Sequence, residues 1–89
     1  MSIKINIHKI HRQFTNGLDV VEIDGKNVGE CLNNLIKKFP AIQNPLFKKN
    51  KLSDFIEIYL NMESAYPDEL KKPTKDGDVI HITVILAGG

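Results

Sequence analysis

The chain has 89 residues, 42% of them hydrophobic, which is room for one small domain that buries somewhat more than about 60% of its unfolded surface. No space is left for an enclosed active site beside such a core, so the length favours a carrier over an enzyme. Twelve basic residues nearly balance eleven acidic ones for a formal net charge of +1, and the clusters Lys48-Lys49 and Lys71-Lys72 are not interleaved with aromatics, so they read as solvated loops and no nucleic-acid partner is expected.

In chain order, Ile3, Ile5 and Ile7 alternate with Lys4, Asn6 and His8, which predicts a first strand over residues 3–8, with a continuation through Ile10 toward Phe14 left open. That alternation is unlike a signal peptide, and the apolar run at the far end is too short and interrupted to span a bilayer, so the expected location is the cytoplasm with no membrane partner. Thr15-Asn16-Gly17 supplies the positive-φ residues of a tight reversal, and Leu18-Asp19-Val20-Val21-Glu22-Ile23 returns as a second strand, completing a hairpin. After Asp24-Gly25, Asn27 with Glu30 forms a capping box for a helix whose Val28, Leu32, Leu35, Ile36 and Phe39 share one face, and Pro40 ends it. Residues 41–52 lose periodicity and read as a mobile loop with one helical turn around Leu46-Phe47. Ile56, Ile58 and Leu60 mark a third strand, residues 63–65 a short extended piece, and Tyr66-Pro67-Asp68-Glu69-Leu70 a loop or single helical turn. After the turn Asp76-Gly77-Asp78 a last strand runs over residues 79–85. Hairpin, helix and further strands give an α+β domain with the helix on one sheet face.

The chain closes on Leu86-Ala87-Gly88-Gly89. Glycine contributes nothing to a core and loses the most backbone entropy on ordering, so the pair has a use outside folding. With no side chain at either position, an extended tail can thread a narrow channel and bring the Gly89 carboxylate to the phosphates of a bound nucleotide. Adenylation would give that carboxylate a leaving group, and a persulfide or thiol nucleophile could then take the acyl carbon.

This tail resembles the small sulfur carriers of the molybdopterin and thiamine pathways, which share a ubiquitin-like β-grasp fold and end in Gly-Gly, often after an Asp-Gly-Asp turn. The stretch Phe55-Ile56-Glu57-Ile58-Tyr59-Leu60-Asn61 looks like the third strand of carriers that serve protein-thiocarboxylate amino-acid biosynthesis. Val84-Ile85 stands where many molybdopterin carriers have Pro-Pro. The resemblance implies a single β-grasp sulfur-carrier domain over residues 1–89 with a projecting tail, a mixed sheet of four to five strands, and first and last strands adjacent and parallel in its middle. It also implies a non-catalytic chain that binds no cofactor, with ATP and its metal used by a separate ubiquitin-activating-type adenylyltransferase. Further partners would be a sulfide or persulfide donor, a sulfur-acceptor biosynthetic enzyme and, where an amino acid is built on the tail, a metalloprotease that releases it. Gly89 and Gly88 would accept the sulfur. Ile85, Leu86 and Ala87, with Thr83, His81 and Tyr59 on the sheet face opposite the helix, would dock the activating enzyme.

Other residues have plainer readings. Cys31 sits near the apolar stripe of the helix and behaves as a small hydrophobe rather than a sulfur relay, and one cysteine admits no disulfide framework. His8, His11 and His81 lack partners at ligand spacing, so no metal site is expected. Asp76 and Asp78 are turn residues. Two alternatives to the carrier remain: a ubiquitin-like modifier joined through Gly89 to target lysines, and a non-catalytic β-grasp interaction domain with an idle tail.

Overall fold

The computed structural model describes residues 2–85. The elements run β1 (Ser2–Ile7), a 3-10 helix (Lys9–Thr15), β2 (Val20–Asp24), α1 (Val28–Lys38), a 3-10 turn (Pro40–Ile42), α2 (Gln43–Leu46), β3 (Phe47–Lys48), β4 (Lys51–Leu52), β5 (Ile56–Leu60), β6 (Glu63–Ser64), a 3-10 turn (Glu69–Lys71) and β7 (Val79–Val84). Five strands form one sheet in the order β2-β1-β7-β5-β6. β1 and β7 are parallel and the other neighbours antiparallel. β3 and β4 form a separate small hairpin.

The two-residue period of the strands explains the layering. Ile3, Ile5 and Ile7 of β1 are buried together with Ile80 and Ile82 of β7, Ile56 and Ile58 of β5, and Val21 and Ile23 of β2. Val28, Cys31, Leu32 and Leu35 of α1 belong to the same buried cluster, where each large aliphatic side chain contributes about 1.5–3 kcal/mol. α1 begins at Asn27, whose Oδ1 accepts from the Glu30 N–H at 2.7 Å. The reciprocal half of the box is displaced by one residue, because the Glu30 carboxylate accepts from the N–H of Lys26 rather than that of Asn27. Phe39 caps the far end and Pro40 opens the next turn, as its missing N–H allows.

Two stretches depart from the sequence reading. β1 stops at Ile7, and residues 9–15 wind into a 3-10 helix with His8 at its N-cap and left-handed Asn16 at its C-cap. Here His11 and Thr15 are buried and Phe14 packs partly against the core, so His11 and Phe14 stand three apart, one 3-10 turn, and break the two-residue alternation of β1. The expected tight reversal is therefore the end of a longer connection. Residues 41–52, expected as a loop with one helical turn around Leu46-Phe47, are more regular: the second 3-10 turn and α2, which ends at Leu46, are followed by the β3–β4 hairpin. Ile42 and Leu46 bury one face of this segment, and the hairpin turns through Lys49 and Asn50, both at positive φ. Lysine at the first of these positions carries none of the usual Asn-Gly signal, which is why the turn escaped the pattern.

His11 is buried, and its Nδ1 has no hydrogen-bond partner. Burial, with the neighbouring His8 ring adding to it, lowers its pKa below the ordinary 6.5. The unfolded chain then binds the proton more readily than the folded one. This contribution to stability is complete above the unfolded pKa of about 6.5 and is lost as pH falls toward the folded pKa. Melting temperature should accordingly decline between about pH 7.5 and pH 5. His11→Leu should flatten that decline in thermal melts across the same range; an unchanged slope would assign the pH dependence to other groups.

Candidate functional site: the last strand and the outer sheet face

The site is built around β7, which lies between β1 and β5 in the middle of the sheet. Its start is held from both sides. On the β1 side, Asp76 Oδ1 accepts from the Ser2 N–H at 2.7 Å, the Gly77 N–H donates to Ser2 O, and the Lys4 N–H donates to Asp78 O. Gly77 has φ +90°, a conformation that favours glycine. On the β5 side, left-handed Asn61 forms a clasp: its Nδ2 donates to Asp78 Oδ1 at 3.1 Å, and its Oδ1 accepts from the Val79 N–H at 3.0 Å. The second Asp78 oxygen accepts from the Lys75 N–H at 2.9 Å. Asp78 is thus a buried anchor as well as the turn residue the sequence indicated.

From this fixed start β7 runs toward Ile85, whose N–H donates to Phe55 O. Leu86, Ala87, Gly88 and Gly89 lie outside the described residues. On the face away from α1, the register sets His81 between Asn6 and Tyr59, and Thr83 beside Glu57. The Asn6 carboxamide nitrogen lies 2.9 Å from His81 Nδ1, a hydrogen-bond distance that ties β1 to β7 on this face. Thr83 donates its hydroxyl to Glu57 O at 2.8 Å. His81, Thr83 and Tyr59 are half-buried, whereas Ile85 is 45% exposed. Ile85 shares a shallow groove with Leu52 and Tyr66, rimmed by Asp54, Glu57 and Glu69. Tyr66 and Phe55 are 73% and 57% exposed.

The structure therefore gathers Tyr59, His81, Thr83 and Ile85 along one face, and adds Asn6, Phe55 and Tyr66, which the pattern did not single out. Asn6 interrupts an otherwise aliphatic central strand, and Phe55 precedes a strand without belonging to its alternation. Those were the signals available.

Cys31 lies on the other side of the sheet. It is fully buried, with Sγ 4.0 Å from the Thr74 hydroxyl. Burial pushes its thiol pKa upward, only partly offset by that contact, and this keeps it a poor nucleophile. Among the described residues no three His, Cys, Asp or Glu side chains are grouped to hold a metal ion. No helix among them is long and apolar enough to cross a membrane.

A parallel pair of first and last strands at the centre of a five-stranded mixed sheet, crossed by one main helix, defines the ubiquitin-like β-grasp class. Comparison with known proteins narrows this. Residues 7–89 match the ThiS family. A chain of the Amycolatopsis orientalis BexX/CysO complex aligns with a TM-score of 0.89 and 33% identity over 98% of this chain and 99% of that one. CysO from Mycobacterium tuberculosis gives 0.86 and 26%, covering 94% of this chain and 99% of its own. SAMP1 from Haloferax volcanii gives 0.86 and 25% over 100% of both. No curated protein matches by sequence. The chain belongs to the ThiS family of ubiquitin-like sulfur carrier proteins, which are carriers rather than catalysts.

Two expectations follow for the residues around β7. Asp78→Ala strips the acceptors from Asn61 Nδ2 and the Lys75 N–H and should cost about 1–3 kcal/mol in urea unfolding. A loss under about 0.5 kcal/mol, the usual range for a surface change, would show that the clasp is not what fixes the strand. Cys31 in the folded protein should resist iodoacetamide at neutral pH and react fully once unfolded, by mass spectrometry; rapid modification of the native protein would contradict its burial.

Proposed function

We propose that the chain is a cytoplasmic carrier that works through a projecting Gly88-Gly89 tail on a single β-grasp domain over residues 1–89. A separate ATP-dependent adenylyltransferase of the ubiquitin-activating type, with its metal, activates the tail. The Gly89 carboxylate oxygen attacks the α-phosphorus of ATP and expels pyrophosphate. Sulfide attacks the acyl carbon, expels AMP and leaves a thiocarboxylate directly. A persulfide donor expels AMP to form an acyl disulfide, from which a second thiol of the donor, attacking the donor's own sulfur, releases the thiocarboxylate and leaves a disulfide on the donor. The thiocarboxylate sulfur is handed to an acceptor biosynthetic enzyme, where an amino acid such as cysteine or homocysteine, molybdopterin or thiamine is made. If an amino acid is assembled on the tail, a metalloprotease releases it.

The observation that carries this reading is the placement of β7. A central strand held at its start by Asp78 and Asn61 presents its other end, beside exposed Ile85, to a partner. Tyr59, His81, Thr83 and Ile85, with Leu86 and Ala87 beyond them, are the docking residues in this scheme. Similarity to a chain of a BexX/CysO complex supports a protein partner. The amino-acid branch draws its support from the 55–61 stretch and from the CysO structures.

A modifier reading is favoured by the likeness to small archaeal modifier protein 1, SAMP1, from Haloferax volcanii and from Methanosarcina acetivorans, each at 25% identity. Both readings share the adenylation step and separate afterwards. Incubation with a competent activating enzyme, ATP and sulfide, followed by intact-mass measurement, should show a gain equal to replacing one oxygen by sulfur, located at Gly89. No gain, together with higher-mass conjugates that vanish on deletion of Gly88-Gly89, would assign the modifier role instead. Neither product would leave an interaction domain with an idle tail.

A further inference from the structure

The lysines of residues 31–53 are distributed in a way that the tail chemistry does not use. This stretch holds Lys37, Lys38, Lys48, Lys49 and Lys51 and no carboxylate, a local charge of +5. The rest of the chain, with seven basic and eleven acidic residues, carries −4. A protein close to neutral overall is therefore strongly divided. None of the five lysines forms an ion pair among the described residues.

The fold shapes part of this basic stretch into a groove between α1 and the β3–β4 hairpin. Ile36, Phe47 and Leu70 give it an apolar floor. Asn33, Gln43, Asn44 and Asn50, each with a side-chain carboxamide, and Lys49 line the rest of it. Lys37 lies one helical turn beyond Asn33 on the same face of α1. None of the four carboxamides makes a side-chain hydrogen bond to another described residue, so their donors and acceptors are free for a visitor. Gly29 lets the Glu69–Lys71 turn close this end of the groove, since a Cβ there would come within 3.0 Å of Leu70 O.

We propose that this groove is a docking site for an acidic, extended peptide segment of a partner protein, with one apolar side chain on the floor and carboxylates toward Lys49 and Lys37. Carboxamides pair with both the C=O and the N–H of a peptide, which is the chemistry that an extended backbone presents. A single-stranded nucleic acid would need exposed aromatic faces on which to stack, and Phe47 is half-buried in the floor. Charge division steers the segment. The groove at Ile85, rimmed by Asp54, Glu57 and Glu69, repels the peptide that the helix-side groove attracts. The two grooves are lined by different residues, so the proposal stands apart from the reading of the tail.

The test is a titration of the isotope-labelled full chain, followed by amide NMR, with a blocked heptapeptide of six glutamates around a central leucine. Saturable shifts should concentrate on Asn33, Ile36, Gln43, Asn44, Lys49 and Asn50. Lys49→Glu, an exposed change compatible with folding, should weaken binding by roughly ten-fold, and added salt should weaken it further. Lys75→Glu, outside the groove, should leave binding unchanged. Shifts scattered over all lysines, equal weakening by the two variants, or no saturation would overturn the proposal. So would tighter binding of oligo-thymidine or inorganic phosphate to the same residues.

Discussion

The structure depends on one pairing, that of β1 with β7 in parallel at the middle of the sheet. Parallel neighbours cannot be joined by a hairpin, so the chain between Ile7 and Val79 must cross over one face of the sheet before β7 can lie beside β1. α1 covers that face, β5 pairs along the far edge of β7, and β6 pairs outside β5. The result is that β7 has partners on both edges and a core on one face. A one-residue slip would turn Ile80 and Ile82 to the outer face and bring His81 into the core. The register is also fixed locally, because the Asp76–Asp78 turn bonds to both polar backbone groups of Ser2 through Asp76 Oδ1 and the Gly77 N–H.

A second lock ties the approach to β7 onto the start of α1. The Val28 N–H donates to Lys72 O, the Thr74 N–H donates to Lys26 O, and the Thr74 hydroxyl donates to Gly25 O at 2.7 Å. Gly25 is needed for this closeness, since a Cβ there would lie 2.5 Å from Cys31 Sγ and 2.8 Å from the Cys31 N. Helix start and the segment leading to β7 are therefore tied together by three hydrogen bonds. The two ends of β7 are unequal in consequence: the first is held by Asn61, Asp78, Ser2 and this lock, and the last described contact of the other is a single bond from Ile85 to Phe55.

Where residue spacing maps directly onto burial, the sequence was legible. The Ile3-Ile5-Ile7 and Ile80-Ile82 alternations, the Asn27–Glu30 start of α1 and the Asp-Gly-Asp turn all reappear as local structure, because each depends on neighbours within a few residues. The parallel placement of β1 beside β7 is a contact across more than seventy residues, and it came from family resemblance rather than from any local pattern. The 3-10 helix after β1 was hidden because Ile10 and Phe14 can extend a strand's apolar pattern as readily as a helix's. The face of Asn6, His81 and Tyr59 was half legible. Parity placed His81, Thr83 and Ile85 together, but only the register brings Asn6 against His81, and only the course of the chain after β6 brings Tyr66 into the groove with Ile85.

The position of Cys31 bears on the chemistry as much as on the packing. Under the proposed scheme the tail passes through an acyl adenylate, and an accessible thiolate on the same molecule would displace AMP from it to form a thioester. The chain has one thiol, and it is placed where this cannot happen: fully buried under α1, beside Thr74, with burial raising its pKa so that it stays protonated. The same burial makes it a well-packed small hydrophobe at the α1–Gly25 contact. The position of Cys31 agrees with its sequence reading as a small hydrophobe rather than a sulfur relay.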